Sequence, residues 1–392
     1  MCGGFYSNLQ RPYALSLRKI IIHQDNYQEV NMFFSSNAIS LNKTLLPKRF
    51  SNQQITPLVF FGQRELLVPD LFKLMGNRQY KSFYDPFSGS GSISFAAMQA
   101  QFSNLYYIND SDPVFKHIWQ SIKDSPQSFI EDYSRYVEGY LNHSVAERAV
   151  YYNRLQDQFN QIKRSGTYKN AETIFVFLIN FAKNNIPVFG TDLDLATEPN
   201  VNIITEKENK ALADFRKRTL HLSTLLNQNN VVFISGDFNA CLATVTQDDF
   251  VLLDPPYPTQ SKNIYFKIKS EEALQNAIRA TFDELNKRNV DFMILYGATT
   301  VSLNNQFDEE RYNVHHLVRL STSKIYGDGL EHVYISRRIH LTPETLPTSM
   351  GFYHTYFERN IEMSDKKYKE VLKELQTKRD SLHQTPTLRS SL

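Results

Sequence analysis

Three apolar residues, Val251, Leu252 and Leu253, rise into Asp254-Pro255-Pro256-Tyr257. The run has the length and unbroken hydrophobicity of a strand buried in a parallel sheet. The prolines end it, since neither can donate to a ladder. Asp254 and Tyr257 are thereby presented beyond the carboxyl edge of a sheet, where open α/β folds bind ligands. A carboxylate, a carbonyl fixed by a following proline and an aromatic ring suit methylation of an exocyclic amino group. The lone pair of such an amine is delocalised into its ring. Asp254 and the Pro255 carbonyl can accept both N–H bonds, which favours a tetrahedral nitrogen and frees the lone pair to attack an electrophilic methyl. Tyr257 can stack on the base once it has left its duplex. The bland alternative is a strand that simply ends in a Pro-Pro turn.

The elements that must position this tetrapeptide lie on both sides of it. Val59 to Leu67 contains a glycine turn at Gly62 and leads into a helix that runs to about Leu74. Tyr80–Tyr84 is a predicted strand. It is followed by Asp85-Pro86-Phe87-Ser88-Gly89-Ser90-Gly91 and a helix through Ala96, Ala97 and Met98. Strand, glycine loop and helix in that order form a cofactor loop, because glycine lets backbone approach a ligand and the helix N-terminus faces it. Leu105–Ile108 is the next strand and ends in Asn109-Asp110. An acid there suits ribose hydroxyls; the alternative is that Asp110 caps the helix predicted from Pro113 to Ile122. Val231–Ile234 is a further strand, and Asp237-Phe238 after it could accept from an adenine amino group and cover its ring; a Gly-Asp turn is the alternative. Val290–Leu295 is a strand. Val314–Ser321 and Glu331–Ile335 are an antiparallel pair around a loop that carries Lys324.

Between the second and third strands the pattern turns helical and more polar. Ser125–Leu141, Ala146–Lys163 and Ala171–Lys183 are predicted amphipathic helices, and a fourth helix spans Glu206–Gln228. The loop Lys163-Arg164-Ser165-Gly166-Thr167-Tyr168-Lys169 combines cations, an aromatic and a glycine, as a nucleic-acid contact would; a solvated loop is the alternative.

Composition bounds the rest. The 392 residues suffice for one large domain or two, and 41% hydrophobic residues allow a sizeable core. Residues 1–54 are expected to be a loosely structured arm, 346–392 a charged appendage. Two cysteines make no disulfide framework, which points to a reducing cytoplasm. No apolar run is long enough to span a membrane. The net charge of +2 is no nucleic-acid signature, so any such surface must come from local clustering.

From about Val59 to Arg338 the order of motifs resembles the Dam-like DNA adenine-N6 methyltransferases. The resemblance implies a Rossmann-like α/β methyltransferase domain (residues 55–124 and 230–345) that uses S-adenosyl-L-methionine, with a mainly helical target-recognition domain inserted at 125–229. It implies that Gly62, Arg64, Asp85, Phe87, Gly89 and Gly91 line the cofactor site, that Asp110 holds its ribose, and that Asp237 and Phe238 hold its adenine. Asp254, which also borders the cofactor, would form the catalytic pocket with Pro255, Pro256 and Tyr257. Lys163, Arg164, Lys169 and Lys324 would contact DNA, with no metal involved. Double-stranded DNA and a cognate restriction nuclease are the implied partners, in a bacterial or phage-encoded setting. Where the family usually carries Gly-Gly-Lys, this chain has Phe61-Gly62-Gln63, followed by Arg64. The family's Phe-Asn-Gly stretch is poorly matched by Lys183-Asn184-Asn185. The same pocket would also suit cytosine N4 or adenine in RNA, and a non-catalytic binding module is the third reading.

Overall fold

The computed structural model describes residues 55–59, 64, 68–76, 78–168, 170–190, 194–203, 205–256, 271–297, 312–319, 329–336, 338 and 339. The expected arm and appendage, the loop after Pro256, Gly62, Tyr257, Lys169 and Lys324 lie outside them.

Seven strands form one sheet. In chain order they are β1 (Tyr80–Asp85), β2 (Ser103–Asp110), β3 (Val231–Ser235), β4 (Phe250–Leu253), β5 (Asp291–Gly297), β6 (Tyr312–Arg319) and β7 (Gly329–Ser336). Their spatial order is β3-β2-β1-β4-β5-β7-β6. The first five in that order run parallel, while β7 is antiparallel to both β5 and β6. This is a Rossmann-like, doubly wound sheet with an antiparallel pair at one edge. The strand order reverses between β1 and β4, which pair through Phe83↔Phe250 and Tyr84↔Val251. Helices leave those two strands in opposite directions, and the crevice between their carboxyl ends is where a doubly wound sheet receives ligands.

Helices cover the sheet from both sides, and the two-residue period of the strands divides the core between them. Phe83, Tyr106, Ile108, Phe250, Leu252 and Met293 face one layer. Tyr84, Val251, Leu253, Phe292 and Ile294 face the other. All four residues of β4 are therefore buried, as its unbroken apolar sequence requires. The first layer holds α1 (Val68–Met75), α2 (Ser92–Gln99) and α3 (Pro113–Asp124), and the second α8 (Phe238–Leu242) and α9 (Glu271–Lys287).

The helical insert comprises α4 (Pro126–Leu141), α5 (Val145–Ser165), α6 (Ala171–Asn180) and α7 (Thr205–Gln228). A capping box starts α5: the Ser144 side chain accepts from the Glu147 N–H, and Glu147 reaches back to the Ser144 backbone. Gly166 ends it in the left-handed conformation. The amphipathic reading of Ala171–Lys183 is corrected here. Ala171 and every residue from Thr173 to Ile179 are buried, and the helix stops at Asn180. A helix apolar all round belongs inside a core. The insert closes over α6, and Phe177 alone meets rings of Tyr136, Tyr140, Tyr151, Tyr152 and Phe181. Truncating Phe177 to alanine would cost about 3–5 kcal/mol. The insert and the adjacent sheet face share one continuous apolar core.

Candidate active site

Asp85 ends β1, and the turn after it is folded by its own short contacts. The Ser88 N–H donates to the Asn109 carbonyl at 2.9 Å, which ties the loop to the end of β2. Gly91 sits at φ 71°, and a Cβ there would come within 2.4 Å of the Phe95 ring. Glycine at this point lets the chain turn from the loop straight into α2. The Gly89 N–H donates to Asp110 Oδ2 at 3.0 Å. The Gly236 N–H after β3 donates to the Asp110 carbonyl, also at 3.0 Å. Asp110 thus joins the three turns that follow β1, β2 and β3. The helix cap belongs to its neighbour: Asp112 Oδ1 accepts the Val114 N–H, while the Asp112 N–H donates to Asp110 Oδ1. The alternative of Asp110 as the N-cap of α3 is thereby corrected.

Asn109, buried beside it, donates through Nδ2 to the carbonyls of Pro86 and Gly236 at 3.0 and 3.1 Å. Its structural part went unread in the sequence; the available signal was a polar residue facing inward at a strand end. Phe87 and Phe238 come from the turns after β1 and β3, and their rings meet at 5.0 Å. Asp237 is exposed and caps α8 through the Asn239 N–H at 2.8 Å.

Across the crevice, Asp254 follows β4. Arg64 grips it with two parallel bonds: Nε donates to Oδ2 and Nη2 to Oδ1, both at 2.9 Å. The side chains are only 8% and 18% exposed. A carboxylate so enclosed needs opposite charge and hydrogen bonds to be tolerated, and the planar guanidinium fork supplies both. Arg64 is held in turn, since its N–H donates to Ser92 Oγ and its carbonyl accepts from the Val68 N–H. Five residues upstream, the insert grips the incoming chain. Asn180 Oδ1 accepts the Val59 N–H at 2.8 Å, and its Nδ2 donates to the Pro57 carbonyl and to the Tyr133 hydroxyl. Asn180 was not singled out by sequence; no local pattern marks an asparagine at the end of an apolar helix as a clamp.

The electrostatics are unusual for carboxylates. Burial pushes Asp85 up to about 7; the Ser94 hydroxyl, donating to Oδ2 at 2.5 Å, opposes that, and the charges of Asp254 and Asp110 add to it. Burial also pushes Asp110 up to about 7, with backbone donors opposing and the Asp112 charge adding. Asp85 Oδ1, Ser88 Oγ and Asn109 Oδ1 are buried without a hydrogen-bond partner among the described residues. Three such atoms on two adjoining turns mark a place where a polar ligand would complete the bonding.

Of the cations expected at DNA, Lys163 is turned inward, with Nζ 3.3 Å from Asp112 Oδ2 and the side chain 12% exposed. Arg164 is 61% exposed and pairs with Asp194. Among the described residues no cluster of His, Cys, Asp and Glu could hold a metal ion.

A profile of the D12 class N6 adenine-specific DNA methyltransferases matches residues 60–321, two thirds of the chain. The chain belongs to this family. It is a DNA methyltransferase of the adenine-specific class, which selects among the acceptors the Asp254 motif leaves open. The type II methyltransferase M1.LlaDCHI of Lactococcus lactis subsp. cremoris is 24% identical over 282 residues, 68% of this chain and 87% of that protein. The type II methyltransferase M.MjaIII of Methanocaldococcus jannaschii is 24% identical over 218 residues, 55% and 73% of the two chains. An overlay on the rRNA methyltransferase aviRa of Streptomyces viridochromogenes covers 79% of this chain and 97% of that one at 12% identity, with a TM-score of 0.29. The fold assignment rests on strand order instead.

Proposed function

We propose that this methyltransferase uses S-adenosyl-L-methionine and acts on an adenine flipped out of duplex DNA, with Asp254 as the catalytic carboxylate. The observation that carries the proposal is the buried, doubly bonded Arg64–Asp254 pair beyond β4, at the sheet's switch point and next to the Asp85 turn. When bound, the cofactor supplies a methyl group on a positively charged sulfur. Asp85 suits its ammonium group, since Oδ1 lacks a donor and a cation would draw the carboxyl back to its charged form. Asp110 suits the ribose hydroxyls. Phe87 and Phe238 suit one face of the adenine ring, with Asp237 at its edge.

In this mechanism the chain's own groups act on the amine. Arg64 fixes the plane of Asp254, whose carboxylate would accept an N6 hydrogen. The Pro255 carbonyl accepts the other, and Tyr257 stacks on the base. As the N6–methyl bond forms, the surplus proton on N6 lies against Asp254 and passes from there to solvent. Most of the acceleration comes from positioning and fixed charge.

The sheet with its flanking helices is assigned as catalytic, and residues 125–229 as the target-recognition insert. Arg164, Lys169 and Lys324 are assigned to DNA phosphates. Arg164 is the exposed partner of its pair with the largely buried Asp194, so its guanidinium is the part of the pair that a phosphate could reach. A cognate restriction nuclease, as the type II relatives suggest, and a place beside DNA in the cytoplasm complete the reading. Among the described residues no helix is long and apolar enough to cross a membrane. Labelled methyl transfer to unmethylated duplex DNA, single-stranded DNA and RNA, followed by digestion to nucleosides, tests it. N6-methyladenine chiefly from duplex DNA is expected; label confined to RNA or to cytosine would overturn it.

A further inference from the structure

Lys163 stands at the last turn of α5, on the insert, yet its ammonium points into the catalytic domain. It lies 3.3 Å from Asp112 Oδ2, and Asp112 is 1% exposed. The Phe189 ring lies 5.0 Å from Nζ and helps shut the pair from water. Asp112 spends its other oxygen on the α3 cap and its N–H on Asp110 Oδ1, 3.0 Å away. An unbroken contact path thus runs from the recognition insert, through Asp112, to the carboxylate assigned to the cofactor ribose. The next residues of the insert are moored to the same place, for Tyr168 stacks on His117 of α3 with ring centroids 5.6 Å apart.

We propose that Lys163 is a positioning residue for the cofactor pocket, acting through Asp112 on Asp110, and not a contact to DNA phosphates. The inference rests on the reading of Asp110 as the ribose acceptor. Asp110 must be ionised to accept two hydroxyl donors, and two carboxylates in one turn oppose that. Lys163 offsets the nearer of them. A lysine charge beside Asp112 weakens the push of Asp112 on the Asp110 proton, and it holds the turn that aims Asp110 at the Gly89 N–H. The charged and titratable groups facing this turn are Asp85 from β1, Asp112 within it, Lys163 and Tyr168 from the insert and His117 from α3. Asp237, beyond Gly236, is turned to solvent.

The test uses the full chain and S-adenosyl-L-homocysteine, whose affinity is measured by calorimetry from about pH 6 to about pH 9 for wild type, K163M, D112N and the double variant. Asparagine caps a helix as well as aspartate does, so D112N keeps α3 intact. K163M is expected to weaken binding on the order of ten-fold near pH 7 and to move its acid limb to higher pH. D112N should move the limb to lower pH, and the double variant should return close to wild type. A purely structural pair would not give shifts of opposite sign. DNA affinity of K163M and its salt dependence should match wild type. An unchanged limb in K163M, or a salt slope reduced by about one counterion, overturns the proposal. Should K163M fail to fold, D112N and the double variant decide: identical limbs in both overturn it. A wild-type chain that does not bind the probe removes the reading of Asp110, and the inference with it.

Discussion

Asp291 at the start of β5 and Asp85 at the end of β1 are both almost inaccessible to solvent, at 1% and 3% exposure. Asp291 is surrounded by donors. Ser336 Oγ and Arg338 Nε donate to Oδ1, and Arg78 Nη1 and the Tyr80 hydroxyl donate to Oδ2, all within 3.0–3.2 Å. Asp85 has the Ser94 hydroxyl on Oδ2 and the Phe87 N–H nearby, and its Oδ1 lacks a hydrogen bond among the described residues. At the start of β5 the buried carboxylate is matched by donors, although Ser103 Oγ and Asp249 Oδ1 at the same end of the sheet are buried without a partner among the described residues. At the other end, unmatched polar atoms gather beside carboxyls raised to about 7, and Arg64 grips the acid beyond β4. What distinguishes the second end is that its unmatched atoms cluster on adjoining turns beside raised carboxyls at the switch point, and that is the end proposed to meet a ligand.

Substitutions can break or sharpen this contrast. The largest effect is expected from Arg64→Met, which removes the Arg64 charge and both of its hydrogen bonds from the enclosed Asp254; turnover should fall roughly a hundred-fold or more, as when a single charge-stabilising donor is lost. Arg64→Lys should recover only part of it, because an ammonium cannot grip both oxygens in one plane. Single-turnover methyl transfer measures both. Next come the two carboxylates themselves. Asp291→Asn should cost stability of about 3 kcal/mol by breaking a buried charge network, with turnover intact at permissive temperature. Asp85→Asn should do the reverse: cofactor affinity falls on the order of ten- to a hundred-fold, while stability near pH 8 holds or rises. Denaturant unfolding beside cofactor titration separates them; equal losses of stability would erase the contrast.

The pH dependence is a smaller effect with a defined sign. Asp85 and Asp110 lie above the usual carboxylate range in the folded protein. Each therefore destabilises the cofactor-free fold above about pH 7, and that penalty fades as pH falls toward the ordinary carboxylate pKa. Melting of the cofactor-free protein should shift upward between about pH 8 and about pH 6. Cofactor binding needs the ionised forms and should weaken below about pH 7, up to about ten-fold per unit for each proton taken up. The smallest effect is Asp237→Ala, which removes the α8 cap and should cost about 1 kcal/mol of stability.

The strands and the site acids were legible in the sequence because each is a local pattern: an apolar run, a turn residue, an acid at a fixed offset. β4 with its Asp-Pro-Pro end, the glycine turn before α2 and the β6–β7 hairpin all follow from such patterns. The Arg64–Asp254 grip was not legible, since it joins residues 190 positions apart and depends on how the segment before α1 crosses the sheet edge. Lys163 reads as a DNA cation from its basic neighbours, and only tertiary packing turns it toward Asp112. The Asp110 cap was a misreading that the pattern could have prevented, because a proline favours the first helical position and so makes Asp112, directly before Pro113, the cap of α3. The amphipathic reading of α6 failed because a helix enclosed by three others has no solvent face to keep polar.

The most direct test of the account is methyl transfer in a single turnover by Asp254→Ala, with S-adenosyl-L-homocysteine affinity measured on the same preparation. Transfer lost while binding stays nearly unchanged is the predicted result. Transfer that survives with the carboxylate gone would contradict the assignment of the chemistry to Asp254 and to the end of the sheet that presents it.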